Sequence, residues 1–255
     1  MAKLSEKVAL VTGSSRGMGM ATAYKLADLG ASLYLAADGT VDELTAVAAE
    51  CRRRSKGEGD AKFGVFDLSV VGSAEKMVAA ADAAFGRIDI LVNNAGARCR
   101  KPFGTFENAE FDMIMNVNLR APFFACQAVI PIMRRNGGGR IINIASQMGL
   151  VAKQNISLYA ASKSGLIQLT RSMAFELMKE GITINTVSPG AIETQYATDR
   201  LRDRPELREE ILGHIPLGRL GEPDEVAEVV VFLASCDGNF IQGHNLIVDG
   251  GHVIH

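Results

Sequence analysis

The sequence has only four cysteines among its 255 residues, and they are widely and irregularly spaced. Disulfide frameworks and structural zinc sites need paired or clustered cysteines, so neither is expected. We interpret the cysteines as reduced thiols, some of them buried. The spacing of the four histidines does not indicate a metal site either, and we interpret His244, His252 and His255 as surface or interface residues. No metal is predicted.

The sequence also lacks an excess of charge and a long apolar segment. Its net charge is −2, so neither a nucleic acid nor an anionic membrane is expected as a partner. The first apolar run, residues 8–11, is shorter than the apolar part of a signal peptide, and no later segment is expected to span a membrane. We therefore predict a cytoplasmic protein.

Short apolar runs alternate with longer amphipathic segments along the whole chain. This alternation predicts a parallel sheet with helices on both faces, the α/β doubly wound (Rossmann) fold. Seven strands are predicted at 7–11, 32–36, 62–66, 88–92, 140–144, 183–187 and 245–248. Helices are predicted at 20–29, 43–54, 74–85, 110–135, 157–179 and 223–234.

No linker, composition shift or repeat divides the chain, and residues 1–255 are predicted to form a single domain. One irregular stretch, residues 194–216, is dense in Arg, Asp and Glu. We interpret it as a charged surface excursion or a lid over a substrate site.

A glycine-rich turn joins the first predicted strand to the first predicted helix. Gly13, Gly17 and Gly19 lie in Thr-Gly-Ser-Ser-Arg-Gly-Met-Gly, residues 12–19. Glycines let the backbone turn tightly and approach a pyrophosphate, whose charge is stabilised by the N–H groups of a helix N-terminus. Such a turn can be a plain loop, but its place between strand and helix favours a dinucleotide site.

Residues after the second and third strands bear on the choice of dinucleotide. Asp38 can hydrogen-bond the ribose hydroxyls of NAD and would repel the 2′-phosphate of NADP. Arg16 could instead pair with that phosphate, and Asp38 could simply belong to an Asp-Gly turn. We predict NAD, with NADP as the less favoured alternative. Asp67 could accept a hydrogen bond from an adenine amino group or serve as a helix cap or turn residue.

Tyr159 and Lys163 are four residues apart, and Ser146 precedes Tyr159 by thirteen. Residues i and i+4 share a helix face, so the phenol and the ammonium can meet over one pocket. The cation favours phenolate and lowers the pKa of the tyrosine, as a general acid/base requires. Ser146 could hold a substrate oxygen beside the phenol. Because such a pair also arises by chance, its weight depends on the other motifs.

Together these motifs resemble the short-chain dehydrogenase/reductase family. The resemblance extends from about residue 7 to residue 251 and also includes Asn-Asn-Ala-Gly at 93–96, Asn118 and Pro189-Gly190. It implies hydride transfer between a nicotinamide cofactor and a CH–OH or carbonyl group, with Asn118, Ser146, Tyr159 and Lys163 as catalytic residues. The candidate cofactor-binding residues are Gly13, Ser15, Arg16, Gly17, Met18, Gly19, Asp38, Asp67, Leu68, Asn94, Ala95, Gly96, Tyr159, Lys163, Pro189, Gly190, Ile192 and Thr194.

The resemblance also implies a role for each catalytic residue. Tyr159 would be the general acid/base, Lys163 would lower its pKa and bind the nicotinamide ribose, and Ser146 would hold the substrate oxygen. Asn118 would kink its helix and hold a water that relays protons past Lys163. Taken alone, Asn118 would instead be interpreted as a polar residue on a helix surface.

The family fixes the reaction and not the substrate, because variable segments build the substrate pocket. Three cations, Arg98, Arg100 and Lys101, follow the Asn-Asn-Ala-Gly turn. Arg98 could pair with an anionic substrate, but we favour solvated loop charges that pair with acids of the lid. Candidate substrate contacts by position are Arg98, Gln147, Met148, Asn155 and Tyr196.

We predict an oxidoreductase, NAD-preferring, that acts on a small alcohol, sugar, polyol or ketone. The alternative within the family is a 3-oxoacyl-thioester reductase that uses NADPH, which Asp38 disfavours. A catalytically silent, dinucleotide-sensing scaffold is a further alternative, although such proteins typically lose the Ser, Tyr or Lys that this sequence keeps. The resemblance also implies a homotetramer formed through the helices at 110–135 and 157–179, with residues 251–255 reaching a neighbouring subunit.

Overall fold

The computed structural model describes residues 3–254, and for Tyr196 and Arg200 only the backbone is described. Within this range seven strands form one sheet in the order β3-β2-β1-β4-β5-β6-β7, and all neighbouring strands are parallel. The predicted α/β doubly wound architecture is confirmed. The strands are β1 (Val8–Thr12), β2 (Ser32–Ala37), β3 (Ala61–Val65), β4 (Ile90–Asn93), β5 (Gly139–Ile144), β6 (Ile182–Pro189) and β7 (Asn245–Val248).

Helices cover both faces of the sheet, as the near-continuous apolar strands require. Side chains of α1, α2 and α9 form the core on one face, and those of α3, α5 and α6 form the core on the other. The helices are α1 (Gly17–Asp28), α2 (Val41–Arg54), α3 (Ser73–Phe85), α4 (Asn108–Met115), α5 (Ala121–Arg135), α6 (Ser157–Leu177), α7 (Gln195–Leu201), α8 (Pro205–Gly213) and α9 (Pro223–Ser235).

Strand β1 shows why the chain needs two cores. Its side chains alternate between the faces of the sheet, so Ala9 and Val11 enter the core of α1, α2 and α9, whereas Leu10 enters the core of α3, α5 and α6. All five residues of β1 are buried. A strand that is buried on both faces cannot alternate polar and apolar residues, which explains its continuous apolar sequence.

The structure differs from the sequence prediction in two segments. The helix predicted at 110–135 is divided into α4 and α5 by a π-helical turn at Asn116–Arg120. The segment predicted to be irregular at 194–216 contains α7 and α8. Thr194 caps α7 by accepting a hydrogen bond from the Ala197 N–H (3.4 Å), and Pro205 occupies the first turn of α8, where proline is tolerated.

The combined helix Asn108–Arg135 bears on the expectation that no segment spans a membrane. By length and composition alone it is apolar enough to cross a bilayer, although no such segment was expected. Core helices meet the same criterion, and Ala125, Val129 and Met133 of α5 are buried in the core that α3 and α6 share. This finding is therefore weak evidence for a membrane span.

Hydrogen bonds between buried polar side chains link β4, β5 and α6. The Asn93 Nδ2 donates to Asn143 Oδ1, and the Asn143 Nδ2 donates to Thr170 Oγ1, each at 2.8 Å. The Thr170 hydroxyl in turn donates to the Leu166 carbonyl (2.9 Å). Because polar groups away from water cost free energy when unpaired, this series fixes how α6 sits on the two central strands.

We therefore expect Asn143→Ala to lower the free energy of unfolding by about 2–4 kcal/mol, because the buried Asn93 amide and Thr170 hydroxyl lose their partner. Urea unfolding followed by circular dichroism measures this loss. The matched control is Asn239→Ala, which removes an exposed partner of Arg140 and should cost less than about 1 kcal/mol. Equal losses for the two variants would contradict a structural role for the buried series.

Candidate active site

Two adjoining cavities lie beyond the carboxyl ends of the strands. The β1–β4 cavity, about 360 Å³, is lined by the segments that follow β1, β2, β3 and β4. The β5–β6 cavity, about 390 Å³, is lined mainly by the segments that follow β4, β5 and β6, together with α7 and α8. Ligands of open α/β sheets bind at this edge, near the point where the strand order reverses. The residues that line both cavities are Arg16, Met18, Asn94, Gly96, Ala97 and Thr194.

The glycine turn after β1 forms one end of the β1–β4 cavity. Gly13 and Gly17 have φ angles of 63° and 56°, in the left-handed region that favours glycine. A Cβ at Gly19 would lie 2.2 Å from the Gly13 carbonyl oxygen, so only glycine lets α1 start this close to β1. Gly19 lines neither cavity and permits this packing instead, whereas Gly13 and Gly17 line the β1–β4 cavity.

Helix α1 starts without a side-chain cap. Arg16, its N-cap residue, makes no capping hydrogen bond in the described part of the chain, and the first turn has no acidic residue. Helix α2, in contrast, has a complete capping box from Thr40 and Glu43. Uncapped N–H groups at a helix N-terminus attract an anion, and the turn in front of α1 carries no side chain at Gly13 or Gly17. The residues present therefore fit the pyrophosphate of a dinucleotide.

Asn94 fastens the glycine turn to the end of β4. Its side-chain Nδ2 donates to the carbonyl oxygens of Thr12 (2.8 Å) and Gly13 (3.1 Å). The Thr12 hydroxyl accepts from the backbone N–H groups of Asn94 and Ala95, both at 2.9 Å. The Asn-Asn-Ala-Gly segment thus holds the glycine turn in its curved shape.

Acidic side chains line the opposite end of the β1–β4 cavity. Asp38 directly follows β2, and its side chain is exposed. Asp67 Oδ1 accepts from the backbone N–H (2.8 Å) and the hydroxyl (2.6 Å) of Ser69, and these bonds lower the pKa of Asp67. Asp67 is therefore a turn residue that also lines the cavity, beside Leu68.

Ser146, Tyr159 and Lys163 line one wall of the β5–β6 cavity. Ser146 follows β5, and the other two residues lie in the first two turns of α6. All three are buried, at 4%, 7% and 3% exposure. The Lys163 ammonium donates to the Ile144 carbonyl at the end of β5 (2.8 Å) and lies 6.0 Å from the centroid of the Tyr159 ring. The sequence motif and the structure thus bring the same three groups together.

Two cations change the acidity of Tyr159. Burial alone would raise the pKa of its phenol, but the charges of Arg98 and Lys163, together with hydrogen bonds to Arg98 and Ser146, outweigh burial and lower the pKa to about 8. Arg98 Nη2 donates to the phenol oxygen (3.3 Å), and the guanidinium carbon lies 4.5 Å from the ring centroid. Burial also lowers the pKa of Lys163, an effect that Tyr159 opposes and Arg98 reinforces.

The three cations after the Asn-Asn-Ala-Gly turn have different surroundings. Lys101 pairs with Glu110 of α4 (2.6 Å), outside the lid. Arg100 acts electrostatically on Glu210 of α8. Arg98 lies over Tyr159 and forms no ion pair with any described side chain. Pairing with lid acids, the interpretation favoured from the sequence, therefore fits Arg100 but is wrong for Arg98 and Lys101.

Asn118 lies in the π-helical turn between α4 and α5, and it is fully buried. Its Oδ1 accepts from the Ala97 N–H (2.8 Å), and its Nδ2 donates to the Ala97 carbonyl (2.9 Å) and to the Ser162 hydroxyl (3.0 Å). The interpretation as a helix-surface residue is therefore wrong. Asn118 instead fastens the loop that carries Arg98 to α6, which carries the tyrosine.

The structure brings some of the candidate substrate contacts to the β5–β6 cavity but not others. Arg98, Gln147 and Met148 line it, and the buried Gln147 Oε1 has no hydrogen-bond partner among the described atoms. Asn155 lines neither cavity. It lies in an exposed turn with a φ of 63°, and its carbonyl oxygen accepts a hydrogen bond from the Lys101 N–H. The side chain of Tyr196 lies outside the described residues.

Two histidines in the wall of the β5–β6 cavity did not emerge from the sequence as site residues. His214 and His252 have ring centroids 5.8 Å apart. His252 comes to the cavity because Asp249 accepts hydrogen bonds from the Gly251 and Val253 N–H groups and folds the chain back after β7. The interpretation of His252 as a surface or interface residue is corrected accordingly. His252 is far from the catalytic motifs along the chain, so no sequence pattern indicated that it belongs to the site.

The candidate cofactor-binding residues after β6 lie at the β5–β6 cavity. Pro189, Gly190, Ile192 and Thr194 all line it. A Cβ at Gly190 would lie 2.7 Å from the Asp249 Cα and 2.9 Å from Gln147 Oε1, so glycine is required where β6 passes these residues.

Comparisons with known proteins agree with this geometry. A protein-family profile described as enoyl-(acyl carrier protein) reductase matches residues 13–253. The chain is 36% identical over 252 residues to a 3-oxoacyl-[acyl-carrier-protein] reductase of Thermotoga maritima, covering 99% of this chain and 100% of the relative. It is also 36% identical over 256 residues to a cyclopentanol dehydrogenase of Comamonas sp., covering 99% of each.

Solved structures give the same result. One of them, described as a candidate 2-deoxy-D-gluconate 3-dehydrogenase from Agrobacterium tumefaciens with bound NADP, superimposes with a TM-score of 0.87. The two chains are 34% identical, and the match covers 99% of this chain and 98% of the other.

The sheet and the cavities at its edge define an α/β dinucleotide-binding protein. The chain belongs to the short-chain dehydrogenase/reductase family, as its motifs indicated. It is an NAD(P)-dependent oxidoreductase that acts on CH–OH or carbonyl groups.

The acidity of Tyr159 can be tested without a substrate. We expect one of the four tyrosines to titrate near pH 8 by ultraviolet difference absorbance, and this step to be absent in Tyr159→Phe. In Arg98→Gln the step should move to higher pH, because a cation that favours phenolate is lost. Tyr24→Phe is the control, since burial raises the pKa of Tyr24 and its loss should leave the low step intact. Identical titrations of the wild type and Tyr159→Phe would refute the assignment.

Proposed function

We propose that this protein is a dehydrogenase or carbonyl reductase that prefers NAD and acts on a small alcohol, sugar, polyol or ketone. The observation that carries the proposal is the grouping of Ser146, Tyr159 and Lys163 in one cavity wall, beside a second cavity that fits a dinucleotide. When bound, the nicotinamide dinucleotide supplies the acceptor or donor of hydride. The chain itself must then move a proton and hold the substrate.

Tyr159 is the proton-transfer group in this proposal. Its phenolate accepts the hydroxyl proton during oxidation, and its phenol protonates the carbonyl oxygen during reduction. A pKa of about 8 supports both directions near neutral pH, because both forms are populated there. Ser146 holds the substrate oxygen, and Lys163 keeps the phenolate stable and binds the cofactor ribose.

Asn118 acts as a positioning residue in this proposal. A π turn shifts the backbone hydrogen-bond ladder by one residue, and such turns often occur at functional sites. The turn supports the proposed kink that would hold a water on the proton path past Lys163. The side-chain bonds of Asn118 to Ala97 and Ser162 support its second task, fixing the loop of Arg98 against α6.

Tyr159→Phe tests the mechanism. We expect kcat to fall by about 10²- to 10⁴-fold, because the variant lacks the group that transfers the proton. Binding of NADH, followed by its fluorescence, should persist. Tyr34→Phe, which changes a buried tyrosine of β2 that lines neither cavity, should keep its activity. Full activity in Tyr159→Phe would exclude the proposed acid/base role.

The proposed preference for NAD rests on Asp38. This carboxylate follows β2 and lines the β1–β4 cavity, where it can accept hydrogen bonds from ribose hydroxyls and repel a 2′-phosphate. Arg16 lines the same cavity and acts in the opposite direction. The Agrobacterium tumefaciens structure contains NADP, but this observation describes the cofactor of that protein and does not decide the preference of this one.

Steady-state kinetics measure this preference. We expect kcat/KM to be about 10-fold or more higher with NAD than with NADP, and the ratio to narrow in Asp38→Asn, because the repulsion of the phosphate is removed. Arg16→Gln is the matched variant, and it should widen the ratio if the guanidinium pairs with the phosphate. A wild-type preference for NADP would overturn the assignment of Asp38.

A second candidate function is the reduction of 3-oxoacyl thioesters. The similarity to the Thermotoga maritima reductase favours it, whereas Asp38 disfavours the NADPH that this alternative uses. An assay with acetoacetyl-CoA and NADPH, compared with small ketones and NADH, separates the two. The third reading, a silent dinucleotide sensor, is disfavoured because Ser146, Tyr159 and Lys163 are all present; no turnover with any substrate would restore it.

The proposal also includes a cytoplasmic homotetramer built from single domains with a lid at 194–216. Exposed phenylalanines on the predicted interface helices support assembly: Phe111, Phe123 and Phe175 are 51%, 42% and 81% exposed.

Four free thiols are compatible with a reducing compartment. A bridge between Ile192 and Gly221 joins the segments that flank the lid on either side. Light scattering of the purified protein tests the assembly, and a monomeric mass would exclude it.

A further inference from the structure

We propose that the substrate is a small organic anion, a hydroxy acid or the corresponding keto acid, whose carboxylate is bound by Arg98. This inference rests on the proposed dehydrogenase function and extends it by stating the charge of the substrate and the residue that recognises it. It follows from the charges that line the β5–β6 cavity and from the distance between Arg98 and the reacting tyrosine.

The lining of the β5–β6 cavity has one sign of charge. Among the described residues that line it, none carries a carboxylate. Cationic and imidazole groups come from six parts of the chain: the glycine turn, the loop after β4, the turn before α6, α6 itself, the end of α8 and the segment after β7. A cleft with charges of one sign concentrates ligands of the opposite sign. These residues are Arg16, Arg98, Arg100, Lys153, Lys163, His214 and His252.

Most of these cations already have a defined task or a nearby acid. Lys163 donates to the Ile144 carbonyl. Lys153 pairs with Glu210 (3.1 Å), a carboxylate outside the lining that also interacts with Arg100 and His214. Arg98 differs, because no described carboxylate lies within ion-pair distance of its guanidinium. An anionic ligand would supply the carboxylate that no described residue offers to Arg98.

The position of Arg98 limits where the anion sits on the substrate. Arg98 Nη2 lies 3.3 Å from the Tyr159 hydroxyl, which is the group that would bond the reacting oxygen. A carboxylate on the carbon next to the reacting carbon, or one carbon further, therefore lies within reach of the guanidinium. Arginine is suited to this contact, because its planar fork matches the two oxygens of a carboxylate.

The reaction with such a substrate is balanced without a further reactant. In oxidation the carbinol C–H bond breaks and its electron pair leaves with the hydrogen as hydride to oxidised nicotinamide. The hydroxyl proton passes to the Tyr159 phenolate, and the new C=O bond completes the keto acid. The carboxylate stays ionised and unchanged throughout, so Arg98 can hold it in both the substrate and the product.

Kinetics on matched pairs test the proposal. Each hydroxy acid of a short series, such as lactate and 3-hydroxybutyrate, is compared with its neutral amide, which has nearly the same shape. In the wild type kcat/KM should be about 10- to 100-fold higher for the acid than for the amide. Arg98→Gln should bring this ratio close to one, mainly through KM for the acid.

The ratio separates anion binding from the effect of Arg98 on Tyr159. A higher pKa of Tyr159 in Arg98→Gln would change the pH profile for acid and amide alike, and would therefore cancel in the ratio. Lys101→Gln is the control: Lys101 lies in the same loop, but it pairs with Glu110 and lines neither cavity. The acid-to-amide ratio should persist in this variant.

A binding measurement tests the proposal even if the true substrate is absent from the series of hydroxy acids. Calorimetry with the NAD-saturated protein should detect malonate but not malonamide, and Arg98→Gln should abolish the difference. Turnover of neutral alcohols or amides as fast as acids would overturn the proposal and leave the dehydrogenase function standing. Turnover of thioesters alone would overturn the proposal and also replace the proposed function by its second candidate, the reduction of 3-oxoacyl thioesters. Dinucleotide binding without turnover of acids or binding of malonate would also overturn it. No turnover and no dinucleotide binding would refute both.

Discussion

The buried ammonium of Lys163 is the group on which the rest of the site depends. Removing a charge from water is costly unless polar groups take the place of the solvent, and the carbonyl of Ile144 does so at the end of β5. That hydrogen bond fixes the position of α6 relative to the carboxyl end of β5. The hydrogen bonds among the buried side chains of Asn93, Asn143 and Thr170 also hold α6 against β4 and β5. Stability and chemistry therefore depend on one helix–strand contact.

Much of the fold could be predicted from the sequence, because the apolar period of each element is set by burial on both faces of the sheet. Strand β1 and helix α1 are clear examples, since a run without polar residues leads directly into a glycine turn. The triad of Ser146, Tyr159 and Lys163 could also be predicted. It needs only helical spacing and the rule that loops at the carboxyl ends of parallel strands meet.

Other features depended on contacts that no local pattern encodes. The charges of residues 194–216 concealed α7 and α8. Leu201 of α7 forms a small separate cluster with Ile215 and Leu220, and Leu207 and Ile211 of α8 pack against it. Asn118 in the π turn bonds to Ala97 and Ser162, residues distant in sequence. His252 reaches the cavity only through the turn that Asp249 organises. In each case tertiary contacts overrode the local signal.

Thr194 caps helix α7 and also lines both cavities. A ligand in the β1–β4 cavity that contacts this residue therefore acts on the first turn of a helix whose last residue, Leu201, lines the other cavity. Coupling free energies between two sites are reciprocal. Two ligands that both order α7, one from each cavity, would strengthen each other's binding by the same factor. The shared threonine thus gives the two cavities one common structural element, the first turn of α7.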